Sequence, residues 1–114
     1  MSEPIPHPLP EPVIELVAQR FRVLAEPMRI RILEALRDGE ASVQELTASV
    51  GASQQNVSKH LGVLHQSGIV SRRKEGTFVR YAVADPGVYA LCELVCGDLQ
   101  RHAATLDEVL RGAA

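Results

Sequence analysis

Ser42-Val43-Gln44-Glu45-Leu46-Thr47-Ala48-Ser49-Val50-Gly51-Ala52-Ser53-Gln54-Gln55-Asn56-Val57-Ser58-Lys59-His60-Leu61 decides the fold. Ser42 and Glu45 have the spacing of a capping box: the serine hydroxyl accepts from the Glu45 amide, and the carboxylate reaches back to the Ser42 amide. A helix therefore starts here, with Val43, Leu46 and Val50 on its inner face. Gly51 permits the left-handed stop, and Ser53 caps another helix only two residues later. That second helix carries Val57, Leu61 and Leu64 at i, i+4 and i+7 and closes at Gly68. Two short helices joined by a glycine turn result.

Upstream, Val13, Leu16, Val17, Phe21 and Leu24 fall near helical spacing and predict a first helix over 13–25. Glu26-Pro27 opens another, because proline's missing N–H costs nothing at a helix start. Its apolar set is Met28, Ile32, Leu33 and Leu36, and Asp38-Gly39 ends it. Before all of these, proline stands at 4, 6, 8, 10 and 12, which removes every second backbone donor. Residues 1–12 are expected to be a proline-rich flexible arm, and 13–111 one reading and pairing domain. Downstream of Gly68 the period changes to 2. Ile69 to Lys74 and Thr77 to Val83 flank Glu75-Gly76, which predicts a β-hairpin. Asp85-Pro86 then repeats the cap-plus-proline signal and opens a last helix running to about Arg111.

With 114 residues, 46% apolar and 23% charged, and no apolar run of bilayer length, the chain belongs with single globular domains. No basic stretch followed by an apolar core opens it, so a cytoplasmic location with reduced cysteines is expected, with no membrane partner. The net charge of −2 conceals a gradient. From Ser53 to Arg80 five cations (Lys59, Arg72, Arg73, Lys74, Arg80) face one acid, Glu75, an excess of +4, and the remainder carries −6. Such a patch is either a solvated face or a footprint for a polyanion.

The order of these elements is that of a winged helix-turn-helix: mainly α, with five helices and a two-stranded antiparallel wing. In this arrangement the helix starting at Ser53 stands proud enough to enter the roughly 12 Å major groove of B-DNA. The residues its apolar stripe leaves outside include Gln54, Gln55, Asn56 and Ser58, whose amides and hydroxyl suit base edges. Lys59, Ser42 near a helix start, and Arg72, Arg73, Lys74 and Arg80 on the wing suit phosphates, and Ser53, a cap in any case, is counted with the DNA-binding residues. Arg80 has the alternative of pairing with an acid in the sheet. His60, one turn into the helix, is placed at the DNA backbone, and His65 is read as packed. No Ser/His/Asp set, paired carboxylates or glycine-rich phosphate loop points to an enzyme. The rival class is a winged helix used for protein contacts.

The sequence resembles the ArsR/SmtB family of bacterial transcriptional repressors. The residues that carry the likeness are Leu24 to Leu33 (LAEPMRIRIL), Ser53 to Leu61 (SQQNVSKHL), Gly68-Ile69-Val70, Arg73 to Gly76, and Tyr81. The resemblance implies a homodimer on a palindromic operator, released by an inducer that is often a metal ion, an arsenic species or a sulfur oxidant. Pairing is also legible in the last helix, where Val88, Cys92, Val95, Leu99, His102, Leu106 and Val109 recur at 4-3-4-3-4-3 spacing. The terminal helices are therefore expected to dimerise and to present two reading helices about 34 Å apart.

Cys92 and Cys96 share a helical face one turn apart, a spacing with which two thiolates can ligate a soft metal. Two ligands are too few for zinc or arsenic, so a site needs both subunits. The stretch Ser42 to Leu46 lacks the thiol that the family carries there. Three roles stay open for the pair: small apolar fillers in the seam, a thiol redox or persulfide sensor, or a soft-metal or arsenic site.

Overall fold

The computed structural model describes residues 4–112. Its elements are α1 (Glu11–Leu24), α2 (Pro27–Ala35), β1 (Ala41–Ser42), α3 (Val43–Val50), α4 (Gln54–Gln66), β2 (Val70–Glu75), β3 (Phe78–Val83) and α5 (Gly87–Gly112). They fall into two compact units, one ending at Ala84 and the other beginning at Asp85. The five helices and the hairpin are those the sequence predicts. No described helix is long and apolar enough to cross a membrane.

α1 starts at Glu11, two residues before the expected boundary, and Pro12 lies in its first turn. The first amides of a helix have no intrahelical acceptor, so a residue without an N–H is tolerated there and the proline run need not end before the helix begins. The first three residues of the expected arm lie outside the described residues.

In the first unit, α2 contributes Ile32, Leu33 and its C-cap Leu36 to the core, α3 Leu46, and α4 Val57, Leu61 and Leu64, joined by Ile69, Val70 and Tyr81 from the sheet side. Burying each such side chain contributes about 1.5–3 kcal/mol, which is what holds the two short helices at their angle. Both halves of the capping box form: the Ser42 hydroxyl accepts from Glu45 N at 3.2 Å, and the carboxylate accepts from Ser42 N at 3.0 Å. Gly51 takes φ 68°, and Ser53 caps α4 by accepting from Asn56 N at 3.1 Å.

The sheet has a third strand that the sequence reading lacks. β1 pairs antiparallel with β3, Ala41 opposite Tyr81 and Ser42 opposite Arg80, which gives the order β1-β3-β2. The hairpin register sets Arg72 opposite Tyr81, Arg73 opposite Arg80 and Lys74 opposite Val79. Beyond Arg80 the wing is two-stranded, and it turns at Gly76 with φ 61°.

Candidate nucleic-acid interface

α4 has two faces. Its buried stripe is Val57, His60, Leu61 and Leu64, while Gln54, Gln55, Ser58, Lys59 and Gly62 point outward. The outward residues recur at helical spacing, so the side chains capable of reading base edges form one surface. Asn56 is only half-exposed at the edge of that surface. Ser53, Gln55, Asn56 and Lys59 line a shallow hollow at the start of the helix, where the first turn contains no acid. Unpaired amides and a positive dipole end make such a start receptive to a phosphate.

His60 departs from the expectation of a backbone contact. It is 6% exposed, and its Nδ1 accepts from Arg29 Nε at 3.1 Å, which fixes the neutral tautomer with the proton on Nε2. Arg29 also donates through Nη1 to the Val23 carbonyl at 3.1 Å, so one guanidinium ties α1, α2 and α4 together. Burial holds the imidazole below its ordinary pKa, and the Arg29 and Lys59 cations lower it further against the opposing pull of Glu26. The unfolded chain therefore takes up this proton at a higher pH than the folded one. Stability is lost as pH falls through about 6.5 toward the lower folded value. Thermal melts from pH 8 to 5 are expected to show this loss, and His60→Gln, which keeps an acceptor and cannot titrate, is expected to flatten it.

Ser42 is likewise withdrawn from the phosphate role. It is 4% exposed, its hydroxyl accepts from Glu45 N, and its own amide is taken by the Glu45 carboxylate. That carboxylate already occupies the positive end of α3, where a phosphate would be repelled. The Ser42 hydrogen bonds, followed by Arg80, hold its pKa below the usual range.

The wing cations divide by register. Arg73 and Arg80 face each other across the strands and are both paired. Arg73 bonds Glu40 and, at 2.9 Å, Glu75; Arg80 bonds Glu45 at 3.0 Å and lies 3.6 Å from Glu75. The alternative of an acid in the sheet is thus realised for Arg80. Two like charges directly opposite are unfavourable, and the acids relieve them. The Arg73 hydrogen bond and charge, then Arg80, hold Glu75 below the usual carboxylate range. On the other face Arg72 and Lys74 flank Val79 and Tyr81, and neither makes an ion pair among the described residues. Lys59 on α4 is also unpaired among them.

Along α5, Val95, Leu99, His102, Leu106 and Val109 are exposed, Leu99 by 62% and Leu106 by 51%. Val88, the first residue of the expected seam, is 3% exposed and has nothing left to offer a partner. A second apolar stripe, Ile14, Val17 and Phe21 on α1, is also open, with only Val23 of that helix buried. The sequence pattern contains Val17 and Phe21 of this stripe but not Ile14, and it does not say whether they point in or out.

Cys92 is half-buried and Cys96 exposed, both unoxidised. They do not make a metal centre by themselves: among the described residues no three His, Cys, Asp or Glu side chains gather into a ligand set.

Comparison with known proteins places this geometry. The family model for bacterial regulatory proteins of the arsR family matches residues 26–72, the span from the start of α2 into the wing. The HTH-type transcriptional regulator Rv0081 of Mycobacterium tuberculosis is 38% identical over 109 residues, covering 91% of this chain and 96% of its own. Its crystal structure superposes with a TM-score of 0.75 over 83% of this chain and 96% of that one. A probable mercury resistance operon repressor of Streptomyces lividans is 39% identical over 93 residues, 82% of this chain and 74% of that protein. The solution structure of the homodimeric winged helix-turn-helix DNA-binding domain of Mb0332 from Mycobacterium bovis, 28% identical, gives a TM-score of 0.71 over 90% of this chain and 93% of that one. With a capped helix pair, a paired basic wing and a relative of this identity spanning nearly the whole of both sequences, the chain belongs to the arsR family of bacterial HTH-type transcriptional regulators.

Proposed function

We propose that this regulator acts as a homodimeric repressor on a palindromic operator, with Gln54, Gln55 and Ser58 at base edges and Lys59, Arg72 and Lys74 on phosphates. The observation that carries the reading is the outward face of α4. Five positions over three successive turns, 54, 55, 58, 59 and 62, present amides, a hydroxyl, an ammonium and a glycine, over a stripe holding the fully buried aliphatics Val57, Leu61 and Leu64. A helix that only supported a core would not need an amide-rich exposed rim beside an acid-free helix start. Twofold pairing through the open stripes of α1 and α5 would present that rim twice, which an inverted repeat matches. The activity assigned is regulation by binding, with no catalytic step, in a soluble cytoplasmic protein. A soft-metal signal at Cys92 and Cys96 would need a second copy to complete the ligand set, whereas a thiol-reactive signal needs only the two thiols.

Fluorescence anisotropy on the DNA upstream of its own gene tests the reading. Affinity is expected to fall steeply and log-linearly with added salt, because each neutralised phosphate releases condensed counterions. Arg72→Ala and Lys74→Ala are each expected to reduce the salt slope by about 1 per protomer and to weaken all sequences alike. Arg73→Ala should reduce it less, since its charge is already shared with Glu40 and Glu75. Salt-independent or absent binding would instead favour a winged helix used for protein contacts.

A further inference from the structure

We propose that Glu45 is a positioning residue for DNA binding, acting through Arg80 to set the angle of the wing. The proposal rests on the DNA-binding reading above and adds the element that aligns its two halves. One atom carries it. Glu45 Oε1 accepts from the Ser42 amide at 3.0 Å, which starts α3, and from Arg80 Nη1 at 3.0 Å, which lies on β3. Arg80 is also the last β3 residue that β1 holds, through its pairing with Ser42. From Val79 outward the wing is a two-stranded ribbon, and an isolated ribbon of that kind is marginal in water. The ion pair therefore sits at the joint between a three-stranded root and an unsupported tip. Arg72 and Lys74, opposite Tyr81 and Val79, flank that joint. Their distance from the reading helix follows from the angle there.

The latch makes a prediction opposite in sign to plain electrostatics. Removing an acid beside a polyanion site should strengthen binding; removing a latch should weaken it. Glu45→Gln is the discriminating variant, because glutamine at this position still accepts from the Ser42 amide and keeps the helix start, while the charge that ties Arg80 to α3 is lost and only Glu75, on the wing itself, is left beside it. An exposed pair of this type stabilises its geometry by a factor of roughly 1.5 to 5, and the dimer uses two, so E45Q is expected to lose up to about 25-fold in operator affinity. Binding to an unrelated duplex of equal length should hold or rise slightly. The ratio of the two affinities, measured on the full-length dimer well below its melting temperature, is the readout. E45Q/R80Q is expected to bind the operator no more weakly than R80Q, since the two residues act as one. Ser42→Ala, which weakens the cap and leaves the carboxylate facing Arg80, is expected to lower the melting temperature without moving the ratio. Operator binding by E45Q equal to or tighter than the parent overturns the latch, as does a ratio shift in S42A as large as that in E45Q. A parent protein that binds no operator DNA overturns the DNA-binding reading itself.

Discussion

Gln55→Ala is expected to cost about 1–3 kcal/mol at one base position of each half-site, and hence about twice that on a symmetric operator. The side chain is exposed on the second position of α4, two residues from the Ser53 cap, whose hydrogen bond goes to Asn56 N and does not involve it. Its carboxamide can donate and accept at once, which suits the N6 and N7 edge of adenine. Alanine keeps the helix, since it is the best helix former, so the melting temperature should stay within a degree or two. The loss is therefore expected in the operator complex alone. Anisotropy titrations against a panel of operators, each changed at one pair of symmetric bases, would show the parent discriminating at one position where Q55A does not. An equal loss on every sequence would make Gln55 a phosphate contact. Ser58→Ala, on the same face, should show a smaller effect at a neighbouring position, because a single hydroxyl accepts or donates to either base type and discriminates less.

The sequence made the helix pair and hairpin legible because their signals are local. A capping box, a glycine at a left-handed stop and a serine cap each act within four residues, and all three appear where the spacing puts them. β1 was not legible for the opposite reason. Two residues have no period, and Ala41 and Ser42 become a strand only by pairing with Tyr81 and Arg80, far along the chain. His60 shows a different failure. Positions 57, 60, 61 and 64 make one stripe, so the pattern places the histidine inside; its polarity argues for outside, and the pattern wins because Arg29 satisfies the ring. Among the wing cations only Arg80 stands apart in sequence, with an acid in the sheet as its alternative partner. Alternation sends Arg72 and Lys74 to one face and Arg73 and Arg80 to the other, and only the fold brings Glu40 and Glu45 up to the second. Basic residues near a turn thus predict a phosphate surface in aggregate but not which of them is free to grip.

Leu99→Glu is expected to separate the protomers and, with that, to remove most of the operator affinity. Leu99 lies at the middle of the α5 seam and is 62% exposed within one chain, so within that chain it adds little to stability. In the proposed dimer it would meet apolar side chains of the partner's seam, and the substitution would place a carboxylate there twice. Burying a charge without a partner is costly enough to oppose such pairing. Sedimentation at micromolar concentration should report a monomer with helix content retained. The DNA consequence follows from linkage: a dimer's second half-site binds intramolecularly, and losing it removes about 10²- to 10⁴-fold in affinity without any change at the reading helix. Half-site DNA should therefore bind L99E and parent monomer alike. Leu99→Met, which conserves volume, should stay dimeric and bind as the parent does. Should L99E sediment as a dimer with parental operator affinity, the seam on α5 is not the pairing surface, and the open stripe of Ile14, Val17 and Phe21 on α1 would have to carry pairing alone.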